Sequence, residues 1–469
     1  MGKYFTWGKF NNYYKYILLT VLFGFISNVL FGPGYCNDSE KIFLAHLYPD
    51  ETEKTQIALS QHIIIHNIYR YIIILIISII LNIYEKNSSK NQKKEDNNRN
   101  TSVQLNPEIE LIYDEEIGKE KQKPGLLFLL VIFIYIIQDT LTLFYFQFDL
   151  SEFNLWILEL PLLSFFNYKL LKFKIYSHHK LAIYTSVILC LIMKIIQLFI
   201  FVFSVKYKDY VYNNYKFLYF VGIFYYLFTM ILRAYSITEM KVYMDFKFIP
   251  LSKLLIVMGI LGVIINLIIM FIFSYNKCAT IYDIDIHLCN VVENDNREDA
   301  YFENYFIYFK ILKDSIDDGR AYEVVIEFFS SFFGSLTYFF YTYFYILVIK
   351  YLSSVHYMFY ILTYTFAIQV INGFVSIIKS SYFNENDFNI FIFITAAISD
   401  IVACFGILVY CEIIELNFCN LNYNIRRYII SRSEMNSKED ISLSDKSNTI
   451  EYLLEDEKDD QNEESNSIY

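Results

Sequence analysis

Charge is scarce in this sequence, and the basic residues form no domain of their own. Asp, Glu, Lys and Arg make up 19% of 469 residues. With no basic patch or stripe, nothing points to a nucleic-acid partner. Seven cysteines are scattered without a CxxC pair, so neither a metal nor a redox motif follows. No metal and no cofactor are expected. A lipid-modifying enzyme usually needs a convergent His/Asp or His/His motif. The one HxxxD, His46 to Asp50, is interrupted by Pro49, so no enzyme and no catalytic residue are expected. A small-x-small cleavage site is missing before Gly32, and the first apolar run is read as a retained helix rather than a signal peptide.

What is present is apolar mass. Hydrophobic residues reach 55%, with 44 Tyr and 45 Phe, and the mean hydropathy is +0.33. Soluble domains rarely reach that balance. A helix needs about 20 mostly apolar residues to cross a hydrocarbon core about 30 Å thick. Ten stretches qualify: Tyr14–Phe31, Ile63–Ile83, Gly125–Phe146, Ser151–Leu171, Leu181–Val205, Phe217–Tyr235, Leu254–Ser274, Tyr322–Leu347, Val355–Ile378 and Phe388–Glu412. Helices are expected, because a span satisfies its backbone polar groups internally. The fold class is therefore an all-α membrane protein of about ten transmembrane helices.

Two turns are very short, Leu150-Ser151-Glu152 and Leu352-Ser353-Ser354. Each places a Ser, a good N-cap, before the next helix. Their likeness suggests two five-helix halves, the second inverted. Basic residues set the orientation. Lys3, Lys9 and Lys15 share one side with Lys86, Lys90, Lys93, Lys94 and Arg99. Lys172, Lys174, Lys180, Lys241, Lys247, Lys253, Lys350, Arg426, Arg427 and Arg432 join them if ten spans are right. The opposite side holds an acidic loop with Asp283, Asp285, Glu293, Asp295, Glu298 and Asp299. Both termini then face the cytoplasm. Residues 1–83 form the N-terminus and first two spans. Residues 84–124 read as a disordered cytoplasmic linker. Residues 125–416 carry the other eight spans, with a long non-cytoplasmic loop at 275–321. Residues 417–432 are a basic juxtamembrane segment, and 433–469 an acidic disordered tail that holds much of the net charge of −11.

The stretch DTLTLFYFQFDLSEFNLWILELPLLSFFNYKLLKFKIYSHHKLAIYTSVILCLIMKII begins at Asp139. It has an acid in the third span, a turn at Ser151 and Glu159 shortly before Pro161. A basic-aromatic loop follows, Lys172-Phe173-Lys174-Ile175-Tyr176. Ser236-Ile237-Thr238-Glu239-Met240-Lys241-Val242-Tyr243 leaves the sixth span, and Gly406-Ile407-Leu408-Val409-Tyr410 lies in the last. From about Gly125 to Tyr410 this pattern resembles the drug/metabolite transporter superfamily, in its chloroquine-resistance-transporter-like branch. The resemblance implies ten helices, cytoplasmic termini, export of small solutes and a vacuolar membrane. That family bears disulfides in its long loop. Cys278 and Cys289 fall in the matching loop, and they would pair if that compartment is oxidising, or stay as free thiols.

A charged group in mid-bilayer costs about 2.5–3.5 kcal/mol and is a functional candidate. Asp139, Glu159, Lys194 and Asp400 lie well inside the spans, with Gln138, Gln197, Gln369 and Asn372 as further polar groups. Pro161 is expected to kink its helix near Glu159 and free a carbonyl. Lys194 and Gln197 share a helical face. Lys194 either meets cargo or pairs with Glu159 or Asp139. Arg233 and Glu327 are read as interfacial, His62 and His66 as an interfacial or pH-sensing pair, and His178 and His179 as plain loop residues. The expected function is a multi-pass transporter that moves a small neutral or cationic solute by alternating access. The solute would be an amino acid, a peptide or a drug-like base, and coupling to protons is open. One deep lysine against three carboxylates argues against a nucleotide sugar, which would need several basic groups. A nucleotide-sugar antiporter or a non-transporting receptor or scaffold is the alternative. The expected partners are the bilayer and the cargo, and a homodimer stays open.

Overall fold

The computed structural model describes residues 5–7, 13–27, 62–96, 126–147, 156–203, 216–277, 291–292, 300–361, 390–417 and 421–424. Gln369, Asn372, Cys278, Cys289, the Leu150-Ser151-Glu152 turn and the acidic tail lie outside them. The chain is mostly helical. The helices are α1 (Tyr14–Phe25), α2 (Ile63–Asp96), α3 (Leu126–Gln147), α4 (Glu159–Leu170), α5 (Ser177–Phe203), α6 (Lys216–Asp245), α7 (Leu251–Ser274), α8 (Tyr305–Asp317), α9 (Ala321–Tyr351) and α10 (Ile390–Tyr410). By length and composition, four helical stretches among the described residues suffice to cross a membrane: Ile63–Asn87, Ser177–Ile196, Leu251–Ser274 and Ala321–Tyr351. Tyr14–Phe25, Leu126–Thr142 and Ile394–Tyr410 are shorter apolar helices.

The described residues form two compact units. The larger draws on Phe10–Lys174 and Ile183–Ile407, the smaller on Met1–Lys9, Ile175–Ala182 and Leu408–Tyr469. Within the larger unit, α2 packs against α7 and α9, α3 against α6 and α7, α4 against α6, and α1 against α9. The α2–α7 pair is antiparallel. Asn67 donates to Asn266 at 3.1 Å near one end, and Ser252 donates to Glu85 at 2.7 Å near the other. Glycine permits the close approach between them. A Cβ on Gly259 would stand 2.7 Å from Leu75 Cβ and 2.9 Å from its Cα, and one on Gly262 would strike the Tyr71 ring. Small residues at a helix crossing let two backbones approach, which apolar driving force alone does not achieve in lipid.

Several elements depart from expectation. The helix α2 does not stop at Ile83 but runs to Asp96, into the stretch read as linker; a helix once nucleated extends at little cost. The segment 275–321 is not all loop. It holds α8, capped by Asn304, whose side chain accepts from the Phe306 and Ile307 N–H groups. The fold is not purely helical either. In the smaller unit β1 (Phe5–Trp7) pairs antiparallel with β4 (Ile414–Leu416), Phe5 facing Leu416. In the larger, β2 (Val291–Val292) pairs with β3 (Ala300–Tyr301). Pro161 sits where a helix tolerates proline. It is the third residue of α4, where its missing N–H would have no intrahelical partner. The Ser353 turn behaves as read: its hydroxyl accepts from the Val355 and His356 N–H groups at 3.3 and 3.4 Å. Lys241 donates to the Ile349 and Lys350 carbonyls at 2.9 and 3.3 Å, filling acceptors that the end of α9 leaves open.

Candidate functional site

The site is built where α2, α3, α4, α6 and α9 of the larger unit meet. On α2, Asn67, Tyr71, Ile74 and Ser78 are fully buried, each at 0% exposure. Their spacing keeps one face inward, and Arg70 stands beside that face, also buried. On α9, Tyr338, Tyr341 and Tyr345 follow the same three-and-four spacing. Tyr338 and Tyr345 are buried and Tyr341 is half-buried. Asp139 of α3 lies between these two faces. Tyr71 donates to it at 2.8 Å, and Tyr338 at 3.1 Å to each carboxylate oxygen. The Arg70 guanidinium sits over the Tyr338 ring, 4.6 Å from its centroid, a cation–π contact that also brings positive charge near Asp139.

Glu159 has a tighter partner. Arg233 of α6 donates from Nε at 2.9 Å and from a terminal nitrogen at 2.6 Å, one bond to each carboxylate oxygen. The Tyr357 hydroxyl donates to the same carboxylate. Glu159 is fully buried. A paired fork of this kind fixes orientation as well as charge. An aromatic path joins the two carboxylates. Tyr338 and Tyr341 centroids are 5.7 Å apart, Tyr341 and Tyr345 5.8 Å, and Tyr345 and Tyr357 5.4 Å. Two acids and two guanidinium groups thus share one neighbourhood, with no net charge when all are ionised. Asp139 is half-buried and Arg233 is 19% exposed, so this neighbourhood is not sealed on every side.

Arg233 was expected at a helix end facing the interface. It lies instead in the pair with Glu159, because its fork matches a carboxylate that burial has stripped of water. Lys194 was expected to be the only deep basic group, either meeting cargo or pairing with Glu159 or Asp139. Arg70 and Arg233 are both deeper in side-chain burial than that expectation allowed, and Lys194 of α5 acts on Asp400 of α10. The Trp156 indole also hydrogen-bonds Asp400, and Cys190 donates to the Ser399 carbonyl at 3.4 Å. Gln138 spends its amide on Thr142, one turn along its own helix, at 2.6 Å. Gln197 lies in α5 by its backbone.

Arg70, Tyr71, Tyr338, Arg233 and Tyr357 are the residues that reading by sequence missed. A signal existed for some: Asn67, Tyr71 and Ser78 form a polar stripe along an otherwise isoleucine-rich helix, and three tyrosines in α9 share one face. Tyr357 had no signal, since its role comes from a turn that carries it to Glu159.

A second cluster lies at the start of α2. His66 is 3.6 Å from Glu327, which also accepts from Tyr308 at 3.2 Å and Ser331 at 3.0 Å. Glu327 is buried rather than interfacial in the expected sense. Glu303 accepts from the Ile64 N–H at 3.0 Å. Burial pushes its carboxyl up to about 8, and the Ile64 and Ile65 N–H groups pull the other way. An apolar cavity of about 280 Å³ is lined by Ile137, Thr140, Leu141, Tyr225, Ile269, Phe273 and Phe302; Thr140 and Tyr225 are its hydroxyl-bearing residues, and none of the charged groups lines it. His178 and His179 are not loop residues but open α5, both buried. No protein-family model matches this chain, and no curated protein matches it either.

Proposed function

We propose that this chain is a multi-pass membrane transporter in which the Asp139–Glu159 cluster receives a small solute. The supporting observation is the difference between the two acids. Glu159 is matched by an arginine fork and a tyrosine. The hydrogen-bond donors on Asp139 are two neutral tyrosine hydroxyls. A solute bearing an ammonium or a hydroxyl can replace those hydroxyls without leaving a buried charge unmatched, whereas Glu159 would lose a fixed counter-ion. The tyrosine rings offer faces that attract a cation. The cargo is therefore a small neutral or cationic solute: an amino acid, a short peptide or a drug-like base.

Within this proposal the chain has ten spans, cytoplasmic termini and a vacuolar location, as the chloroquine-resistance-transporter-like pattern of residues 125–410 implies, in two inverted five-helix halves, as the likeness of the two Leu-Ser turns suggests. The halves rock about the cluster, and Asp139 is the group on which a coupled proton would ride. A nucleotide sugar would draw on Arg70 and Arg233, but both already stand beside carboxylates. The test is uptake into proteoliposomes of purified protein, with labelled amino acids, dipeptides, amphipathic bases and nucleotide sugars offered in turn. Counterflow of a cationic or neutral solute is expected, reduced at least tenfold by Asp139→Asn and little changed by Gln138→Ala. Exchange of nucleotide sugars that survives Asp139→Asn would overturn the cargo assignment. Absence of transport across the panel would favour a receptor or scaffold.

A further inference from the structure

In the smaller unit three electron-pair donors converge. His178 Nε2 is 3.1 Å from His179 Nε2 and 3.2 Å from Glu412 Oε1. His179 Nε2 is 3.9 Å from the same oxygen. We infer that His178, His179 and Glu412 bind one divalent transition-metal ion, zinc by preference, and so tie the first turn of α5 to the residues that follow α10. Donors about 2.0–2.2 Å from a tetrahedral zinc stand a little over 3 Å from one another; two of the three separations match that spacing, and the third, at 3.9 Å, needs a small inward shift of His179 or Glu412. Two imidazoles with one carboxylate suit a borderline ion over calcium or magnesium, which prefer oxygen.

Proton placement favours such an ion over a hydrogen-bonded triad. The Tyr176 N–H lies 3.1 Å from His179 Nδ1 and donates to it, so a neutral His179 carries its proton on Nε2 and donates to His178 Nε2. That leaves His178 Nε2, an acceptor, facing the Glu412 carboxylate. It also puts the remaining His178 proton on Nδ1, a buried atom with no hydrogen-bond partner. Adding a proton to His178 Nε2 relieves the carboxylate but sets two N–H groups against each other. A divalent cation accepts a lone pair from each atom and removes the conflict. Ligation by His179 Nε2 moves its proton to Nδ1, so the Tyr176 N–H must turn away on loading.

Two further features agree. Successive residues in a helix point about 100° apart, yet both rings turn to one point. Tyr410 packs on the His179 ring, with centroids 4.7 Å apart. Glu412 holds φ at 58°, a left-handed backbone that a residue with a side chain rarely adopts. That strain persists where surrounding structure demands it, and here it aims the carboxylate at the two rings. Glu412 is 22% exposed against 3% and 1% for the histidines, which leaves the ion a way in and a place for a water ligand.

The test uses untagged, full-length protein in detergent, stripped with a chelator and titrated with Co²⁺ alone. One Co²⁺ per chain is expected, with the visible absorption of a four-coordinate site, displaced by Zn²⁺. His178→Ala, His179→Ala and Glu412→Gln should each weaken uptake more than tenfold, while His356→Ala should not. Absence of stoichiometric uptake, or uptake unchanged in those three variants, overturns the site. If the variants fail to fold, the wild-type chain is carbethoxylated with and without Zn²⁺. Protection of the peptide carrying His178 and His179, with faster amide exchange at Tyr176, supports the site. Equal labelling in both samples overturns it.

Discussion

At the scale of single residues, the fate of a carboxylate in this protein is set by who donates to it. Glu159 is fully buried and cannot recover water when its partner is removed. Deleting one member of a buried pair costs about 3–5 kcal/mol, because the other charge is left uncompensated. Arg233→Met should therefore destabilise the detergent-solubilised protein by about that amount in a thermal or denaturant series. Glu159→Gln should do similar harm by stranding the guanidinium. The double variant, which removes both charges, should recover most of the loss. If the two single losses simply add in the double variant, the pair is not the unit described here. Asp139 differs in kind. Its hydrogen-bond donors are neutral tyrosines, and its charged neighbour Arg70 stands over the Tyr338 ring rather than in a fork with it, so Asp139→Asn should cost less stability than Glu159→Gln while abolishing more transport.

At the scale of elements, the start of α2 is held by a cap drawn from far along the chain. Glu303 accepts from the Ile64 N–H across 239 residues of sequence, filling donors that a helix N-terminus leaves open. Its carboxyl titrates at about 8 against an ordinary 4.5, with burial as the main cause. A carboxyl raised by folding favours the folded form fully below its unfolded value and loses that contribution as pH climbs through its folded one. Docking of the 300–304 segment on α2 should thus be firmest near pH 5 and weaken towards pH 8.5. Amide exchange at Ile64 and Ile65, corrected for the pH dependence of free amides, should rise over that range. Glu303→Gln should flatten the rise, and a wild-type profile that is already flat would refute the assignment. The same region shows what was legible in sequence. The apolar period of α2 and α7 was plain, and so was the Ser353 cap, because both depend on neighbours a few residues apart. Nothing local announced that Glu303 would reach α2, or that α8 would form inside a segment read as loop.

At the scale of the whole molecule, the antiparallel pairing of α2 with α7 makes a statement about sidedness. Glu85, in the C-terminal half of α2, lies level with the beginning of α7 at Ser252. The beginning of α2 lies near the end of α7, through Asn67 and Asn266. If both cross the bilayer, residues after Asp96 and residues after Lys277 face opposite compartments. A glycosylation-acceptor tag inserted after residue 277 should be modified and one inserted after residue 96 should not, in agreement with the basic residues near Lys86 and the acids near Asp283. Modification of both, or of the first site alone, would invert or dissolve the proposed topology.

The sequence by itself determined that this chain is built from long apolar helices, that its charges are segregated along it, and that a few ionisable groups lie inside those helices. These properties follow from composition and periodicity, which are local. The tertiary structure decided the partners. Arg233 meets Glu159, Tyr71 and Tyr338 meet Asp139, Lys194 acts on Asp400, and two adjacent histidines meet Glu412 234 residues away. Each of those outcomes depends on how one helix is rotated and slid against another. A hydrophobic pattern fixes which face is apolar but leaves register and neighbour open, and a buried charge takes whichever counterpart the packing brings within reach.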